Sequence, residues 1–311
     1  MKTAKILVAG SNVIDLIFQG EVFDKRKVKD RLSLAIGGKY VPTNFYQLFG
    51  GGGGNSSISL TNQDFDVMLW SHVGNDGFGR QIVRNLKKSK VKTNLVKFKA
   101  SATPVSTILL TTKGERTIIT YRSDSDLLDL SNSVLREMKK RDWFVLYSLT
   151  KCPKKDKLAI LKEAKKNNLK VFLSLHGSEY FKGYDYLKDY FKYCDIMHLN
   201  AHELADIFGG NAPDFNFKKT NFASKLKLPL LLVTHDIHGS YAYTAQKIYY
   251  HPIIKEKHKV DTTGAGDAYS SGFLGEYIKT DSIEKAMYFA TKNATSVIEQ
   301  LGAQNGLIKR S

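Results

Sequence analysis

The feature that most narrows the fold is an alternation that sets in after residue 130. Residues 131–140 repeat with a helical period, 143–149 form a short apolar run, and 153–167 return to a helical period with Pro153 in the first turn. The change recurs: 170–175 reads as a strand, 184–193 as a helix, 195–199 as a strand, 217–226 as a helix and 229–234 as a strand. Strands that are apolar throughout are buried on both faces, and the helices between them supply the crossovers of a parallel sheet. Ile6-Leu7-Val8-Ala9 belongs to the same class and predicts a first strand, being too short for the apolar core of a signal peptide. The expected fold class is α/β, with a mostly parallel central sheet flanked by helices on both faces.

At 311 residues the chain is long enough for a substantial core, and no internal repeat or linker divides it. A hydrophobic fraction of 42%, with 17 Phe and 16 Tyr, is that of a folded globular chain. The net charge of +17 raises the question of nucleic acid. Its lysines are scattered over predicted helices, as in Lys87-Lys88 and Lys165-Lys166, with no basic block interleaved with aromatics. That pattern predicts a solvated lysine face rather than a nucleic-acid surface, and a field that attracts an anionic nucleotide. Cys152 and Cys194 have neither metal nor CxxC spacing and suit a reducing, cytoplasmic compartment. No run approaches the ~18 apolar residues of a membrane-spanning helix, so no membrane partner is expected.

Chemistry concentrates in Asp261-Thr262-Thr263-Gly264-Ala265-Gly266-Asp267. The small residues Gly264, Ala265 and Gly266 let successive backbone amides point one way at the start of a helix, which makes an anion site. Asp267 is repelled by such an anion unless it takes a proton from an attacking hydroxyl while the amides hold a phosphoryl group. A helix cap after a turn is the other reading of these residues. The longer string through Ala-Tyr-Ser-Ser-Gly-Phe-Leu resembles, position by position, the C-terminal signature of the ribokinase (PfkB) family of carbohydrate and nucleoside kinases. Gly50, Gly51 and Asn55 fit its N-terminal signature, Gly-Gly, three variable residues and Asn. Val73-Gly74-Asn75-Asp76-Gly77-Phe78-Gly79 matches its Val-Gly-x-Asp-x-x-Gly. The five glycines 50–54 then bring backbone close to a ligand, and Asn55 reads as the cap of the next helix. Three positions depart from the pattern. Asp64 replaces a turn glycine or serine, which aspartate tolerates. Gly52 stands where ribokinases proper and phosphosugar kinases often carry lysine, which argues against ribose and against a phosphorylated acceptor. Asp236 replaces the first glycine of Thr-x-Gly-x-x-Gly, although Thr234 and Gly239 fit.

The resemblance implies a single ribokinase-like domain over 1–311, with a small β lid from segments at about 17–48 and 103–122. Residues 105–111 and 117–121 read as a hairpin in that lid. It implies an ATP-dependent kinase that phosphorylates a sugar or sugar-like hydroxyl by in-line transfer. Asp267 would be the base, and the amides of Gly264, Ala265 and Gly266 would hold the transferring group. Asp15, Gly50, Gly51 and Asn55 would orient the acceptor, and Arg122 could set specificity. Asn200-x-x-Glu203 would organise Mg²⁺ and phosphate through water, though a helix cap explains it equally well. Thr234 and Gly239 would line the nucleotide phosphates, and Asn293, on a helix read over 283–301, would line the adenine pocket. Members often also bind a monovalent cation such as K⁺ near the position of Asp261, and their lids often pair as homodimers. Other readings are a nucleoside kinase of the same fold and a catalytically silent kinase-like binding protein. A dinucleotide fingerprint after the first strand and a P-loop are both absent.

Overall fold

A computed structural model describes residues 3–29, 31–175 and 177–310. In chain order its strands begin with β1 (Lys5–Ala9), β2 (Val13–Gln19), β3 (Lys27–Val28), β4 (Arg31–Leu32), β5 (Asn44–Gly50), β6 (Asp66–Gly74), β7 (Lys92–Lys99) and β8 (Val105–Leu110). They continue with β9 (Arg116–Tyr121), β10 (Trp143–Tyr147), β11 (Lys170–Ser174), β12 (Ile196–Asn200), β13 (Leu230–Thr234), β14 (Ser240–Tyr243) and β15 (Ile248–His251).

Nine of these form the central sheet, in the order β15-β14-β13-β12-β11-β10-β1-β6-β7. All neighbours are parallel except β13–β14 and β14–β15, which turn back at one edge. Side chains alternate between two cores. Leu7, Phe144, Leu173 and Leu199 pack on one face with Leu161, Leu187 and Phe222, while Ile6, Val145, Phe172 and Ile196 pack on the other with Ile58, Phe273 and Met287. From β1 the chain winds outward both ways, to β6 and to β10, so the connections at their carboxyl ends part and leave a crevice.

The glycines 50–54 help to shape that crevice. The helix Gly52–Thr61 starts at Gly52, behind Gly51 with φ +93°, and so Asn55 lies inside the helix and is not its cap. A Cβ on Gly53 would stand 2.5 Å from the carbonyl carbon of Gly10 at the end of β1. The run is therefore a close contact between two backbones.

A second sheet, β5-β2-β8-β9, forms the lid over the carboxyl ends of the central strands; β2 and β8 are parallel and the other pairs antiparallel. It begins at Val13, earlier than the expected boundary near 17. Between β2 and β5, among the described residues, the strands are the two-residue pair β3–β4, and Ile36 is fully exposed. Register puts Asp15, Ser106 and Thr120 on one face, together with Ile17, Ile108 and Ile118. Ile17, Ile108 and Leu110 of that face pack with Leu48 and Leu301. Leu301 reaches them because its helix, Ile283–Ile298, stops short of the expected 301. The expected helix 217–226 is helical only over Phe222–Leu226, where Asn221 caps Ser224. Before it, the Phe217 carbonyl accepts from the Tyr243 hydroxyl and its ring packs among Phe222, His235 and Tyr241. Among the described residues no helix is long and apolar enough to cross a membrane, and both cysteines are buried thiols.

Gly53→Ala is expected to cost about 1–3 kcal/mol, the usual scale of an overpacked contact, because neither backbone can yield without moving β1. Denaturant unfolding of the two proteins measures it; an unchanged midpoint would show that this contact is not tight.

Candidate active site

At the carboxyl ends of β1 and β10 to β13, beneath the inward face of the lid, lies a cavity of about 380 Å³. Asp15, Gly50, Gly51, Asn55 and Arg122 line it, as do Asn200, Glu203 and Thr234 from the strands beyond. Gly264, Gly266 and Asp267 complete the wall. Four other expected site residues, Ala265, Gly239, Asp261 and Asn293, do not line it.

Asp267 sits in the first turn of the helix Ala265–Thr280, which follows Gly264 in the left-handed conformation at φ +80°. A Cβ on Gly264 would lie 2.4 Å from that of Ala303, so this turn admits only glycine. The Asn55 Nδ2 donates to Asp267 Oδ2 at 2.8 Å, and Gln304 donates to Asn55 Oδ1 at 2.9 Å. Gln304 thereby fixes which end of the Asn55 amide faces the carboxylate. Desolvation by the surrounding protein raises the pKa of Asp267, and the Asn55 hydrogen bond opposes that rise. Ala265 N donates to the Thr262 carbonyl at 3.3 Å, and the first intrahelical bond is Ala268 N to Gly264 O at 2.9 Å. The amides of Gly266 and Asp267 thus have no intrahelical acceptor at the positive end of the helix, the arrangement that receives anions.

Asp15 is buried, and its pKa is raised to about 6 by burial and by Asp261, against a hydrogen bond from Ser106 and the charge of Arg122. Gly50 packs directly against it, where a Cβ would stand 2.3 Å from Asp15 Oδ2 and push the carboxylate aside. Asn200 and Glu203 satisfy both readings of their pattern. They form a reciprocal cap on the helix Ala201–Phe208, Glu203 N to Asn200 Oδ1 and Asn200 N to Glu203 Oε2, both at 2.9 Å. Among the described residues the cap leaves Asn200 Nδ2 and Glu203 Oε1 without a hydrogen-bond partner. Desolvation lifts the Glu203 pKa to about 7, with Asp206 adding to the rise and the Asn200 amide opposing it.

Of the four expected residues that do not line the cavity, three, Asn293, Gly239 and Asp261, are engaged by the protein itself. Asn293 is 1% exposed; it donates to Ala268 O at 2.8 Å and Ser59 Oγ at 3.3 Å and accepts from Ile308 N at 2.9 Å. It anchors the C-terminal segment, with both ends of its amide turned to protein groups. Gly239 serves the turn into β14, with φ +85° and a would-be Cβ 2.4 Å from His251 O. Asp236 in that turn adopts φ +43°, the left-handed geometry that replaces the missing glycine. The Asp261 carboxylate accepts from Thr263, Gly302 and Arg116, so its side-chain oxygens are engaged by protein donors.

Val73-Gly74-Asn75-Asp76-Gly77-Phe78-Gly79 has a supporting role. Asp76 caps Gly79 N at 2.8 Å and accepts from the Thr103 amide at 2.8 Å and hydroxyl at 2.7 Å, which fixes the entry to β8. Sequence reasoning missed Tyr147 and His198, which line the cavity from strands that read only as buried apolar runs. The Tyr147 hydroxyl is 2.7 Å from Ser270 Oγ. His198 stacks on Tyr269 with Nδ1 3.3 Å from Ser174 Oγ, and burial lowers its pKa to about 4, so the ring is neutral. Their places near strand carboxyl ends were the one available signal.

Residues 5–310 match the profile of the pfkB family carbohydrate kinases. The chain belongs to this family. It is 26% identical over 301 residues to the ATP-dependent 6-phosphofructokinase of Thermoanaerobacterium thermosaccharolyticum, covering 91% of each chain. It is 28% identical to the ribokinase of Lactococcus lactis, covering 86% of this chain and 85% of the relative. The fold superimposes on that of Arabidopsis thaliana ribokinase complexed with ribose and ATP, with a TM-score of 0.80, 20% identity, and coverage of 99% and 100%. Like the family, this chain is a phosphotransferase acting on an alcohol group.

Asn55→Ala removes a donor that favours charged Asp267, so the Asp267 pKa should rise further. A hydrogen bond to a charged group contributes about 1.5–3 kcal/mol, which corresponds to about one to two pH units. Activity depending on ionised Asp267 is lost as pH falls through its pKa, so the acid limb of the kcat profile should move to higher pH by that amount. An unmoved limb would show that this hydrogen bond does not tune the group.

Proposed function

We propose that this PfkB-family kinase transfers the γ-phosphoryl group of ATP directly to a hydroxyl of an unphosphorylated sugar or sugar-like acceptor. The observation that carries the reading is Asp267, held by Asn55 in the first turn of the Ala265–Thr280 helix, with a raised pKa and two amides beside it at a positive helix end. A raised pKa makes the carboxylate a stronger base, closer to working pH. The amides of Gly266 and Asp267 would stabilise charge that develops on the phosphoryl oxygens. Asp15 would accept from other acceptor hydroxyls, and the lid would keep water from competing with the acceptor.

The donors present fit Mg²⁺ bound largely through water, because among the described residues Asn200 and Glu203 each keep one free side-chain atom after capping, and a desolvated carboxyl with a pKa near 7 is one that a cation favours. Mg²⁺ would supply charge neutralisation on the nucleotide phosphates. Among the described residues Arg122 is the single lysine or arginine on the cavity wall, and Asp15 offsets it. That balance supports an unphosphorylated acceptor. Exposed Phe45, Ile119 and Tyr121 on the lid support its pairing as a homodimer, and we read the chain as one domain with that lid, acting in the cytoplasm.

The reading is tested by offering MgATP with D-ribose, D-fructose, 2-dehydro-3-deoxygluconate, adenosine and fructose 6-phosphate. Transfer to an unphosphorylated acceptor is expected; transfer to fructose 6-phosphate alone would overturn the substrate class. With the active acceptor, Asp267→Asn should lose at least ~10² in kcat with both KM values nearly unchanged. A variant that turns over at the wild-type rate would remove Asp267 from the role of base.

A further inference from the structure

Asp261 gathers three separate segments of the chain. Its Oδ1 accepts from the Thr263 amide at 2.9 Å, the Thr263 hydroxyl at 2.7 Å and Arg116 Nη1 at 3.1 Å, while Oδ2 accepts from Gly302 N at 3.1 Å. Thr263 leads directly into Gly264 and the anion-binding turn. Gly302 follows Leu301, which packs in the core of the lid. Arg116 opens β9, the outermost lid strand, and shares a face there with Ile118 and Thr120, both on the cavity wall, as is Arg122 just beyond the strand. The Asp261 side chain is 6% exposed and that of Arg116 31%. A carboxylate this deeply buried requires a partner charge, and among the described residues its ion-pair partner is Arg116.

We propose that Arg116 is a positioning residue for the transfer: its ion pair with Asp261 ties the edge of the lid to the segment that shapes the anion-binding turn. The lid then covers the acceptor in the same conformation that sets Thr263 and Gly264 for the phosphoryl group. Two events that the reaction needs together, exclusion of water and assembly of the amide pair, share one ion pair. The opposite end of β9 has a looser counterpart, since the Arg122 charge acts on Asp15. The proposal rests on the kinase reading for its kinetic consequence, but its structural half stands without any substrate.

Hydrogen exchange followed by mass spectrometry on the full chain without ligand tests that half. Arg116→Ala and the less disruptive Arg116→Gln should speed exchange at 105–121 and at 262–266 together, leaving the β10 to β12 strands unchanged. Faster exchange at 105–121 alone would overturn the coupling, as would no change at either segment. In steady-state assays with MgATP and the acceptor that turns over in the panel above, Arg116→Ala should lose about tenfold in kcat and raise the acceptor KM about tenfold, the scale of one charge-assisted contact. The KM for MgATP should stay put, and added guanidinium ion should restore part of kcat. Kinetic constants within about twofold of wild type, or a loss that guanidinium does not relieve, would contradict the positioning role. A wild-type chain without turnover would count against the kinase reading, and the exchange result would still decide the coupling.

Discussion

The hydrogen bond from Asn55 to Asp267 joins two helices that arrive from opposite ends of the chain, Gly52–Thr61 and Ala265–Thr280. Much of the architecture serves to bring their first turns together. The winding of the sheet in both directions from β1 opens the crevice, and the glycine-to-glycine contact of Gly10 with Gly53 lets the first helix start inside it. The left-handed turn at Gly264, packed on Ala303, starts the second helix beside it. Gln304 then orients Asn55 from the C-terminal segment, which Asn293 holds in place. Each of these contacts is between groups too close for a larger side chain or too buried to lose a partner, which leaves the carboxylate little freedom to wander.

The electrostatics of the cavity run against those of the whole chain. A protein of net charge +17 places Asp15, Glu203 and Asp267 around one cavity with, among the described residues, a single arginine. Desolvation raises the pKa of all three, to about 6 for Asp15 and about 7 for Glu203. Three carboxyl groups that resist ionisation form a site that favours the arrival of hydroxyl donors and cations, and the helix terminus supplies positive potential where an anion must rest. The scattered lysines add only a diffuse field that raises the local concentration of an anionic nucleotide.

Sequence reasoning recovered those parts of the fold whose signals are local. β10 to β13 and the helices between β10 and β12 were legible because strands buried on both faces are apolar throughout and the crossover helices keep a 3.6-residue period. β5 was not, because Asn44–Gly50 lies in the lid, with most of its residues at least partly exposed. The half-formed helix at 217–226 failed because tertiary contacts of Phe217 outweighed local propensity. Within the site, Asp15, Asn55, Glu203 and Asp267 were legible as residues, but not Asn55 as the group that binds Asp267, a contact across 212 positions. The resemblance alone points Asn293 to the nucleotide; its burial depends on Ser59, Ala268 and Ile308, which no local pattern reveals. Arg116 read as part of a hairpin turn, since nothing nearby in sequence points to a carboxylate 145 positions away.

Central to this account is that the acceptor hydroxyl, relieved of its proton by Asp267, attacks the γ-phosphorus itself. The stereochemical course at phosphorus measures this most directly, using ATP made chiral at the γ-position with oxygen isotopes and sulfur. Inversion of configuration in the sugar phosphate is the result expected of one in-line displacement. Retention would contradict it, because two successive displacements would require a phosphorylated enzyme side chain in place of the general base.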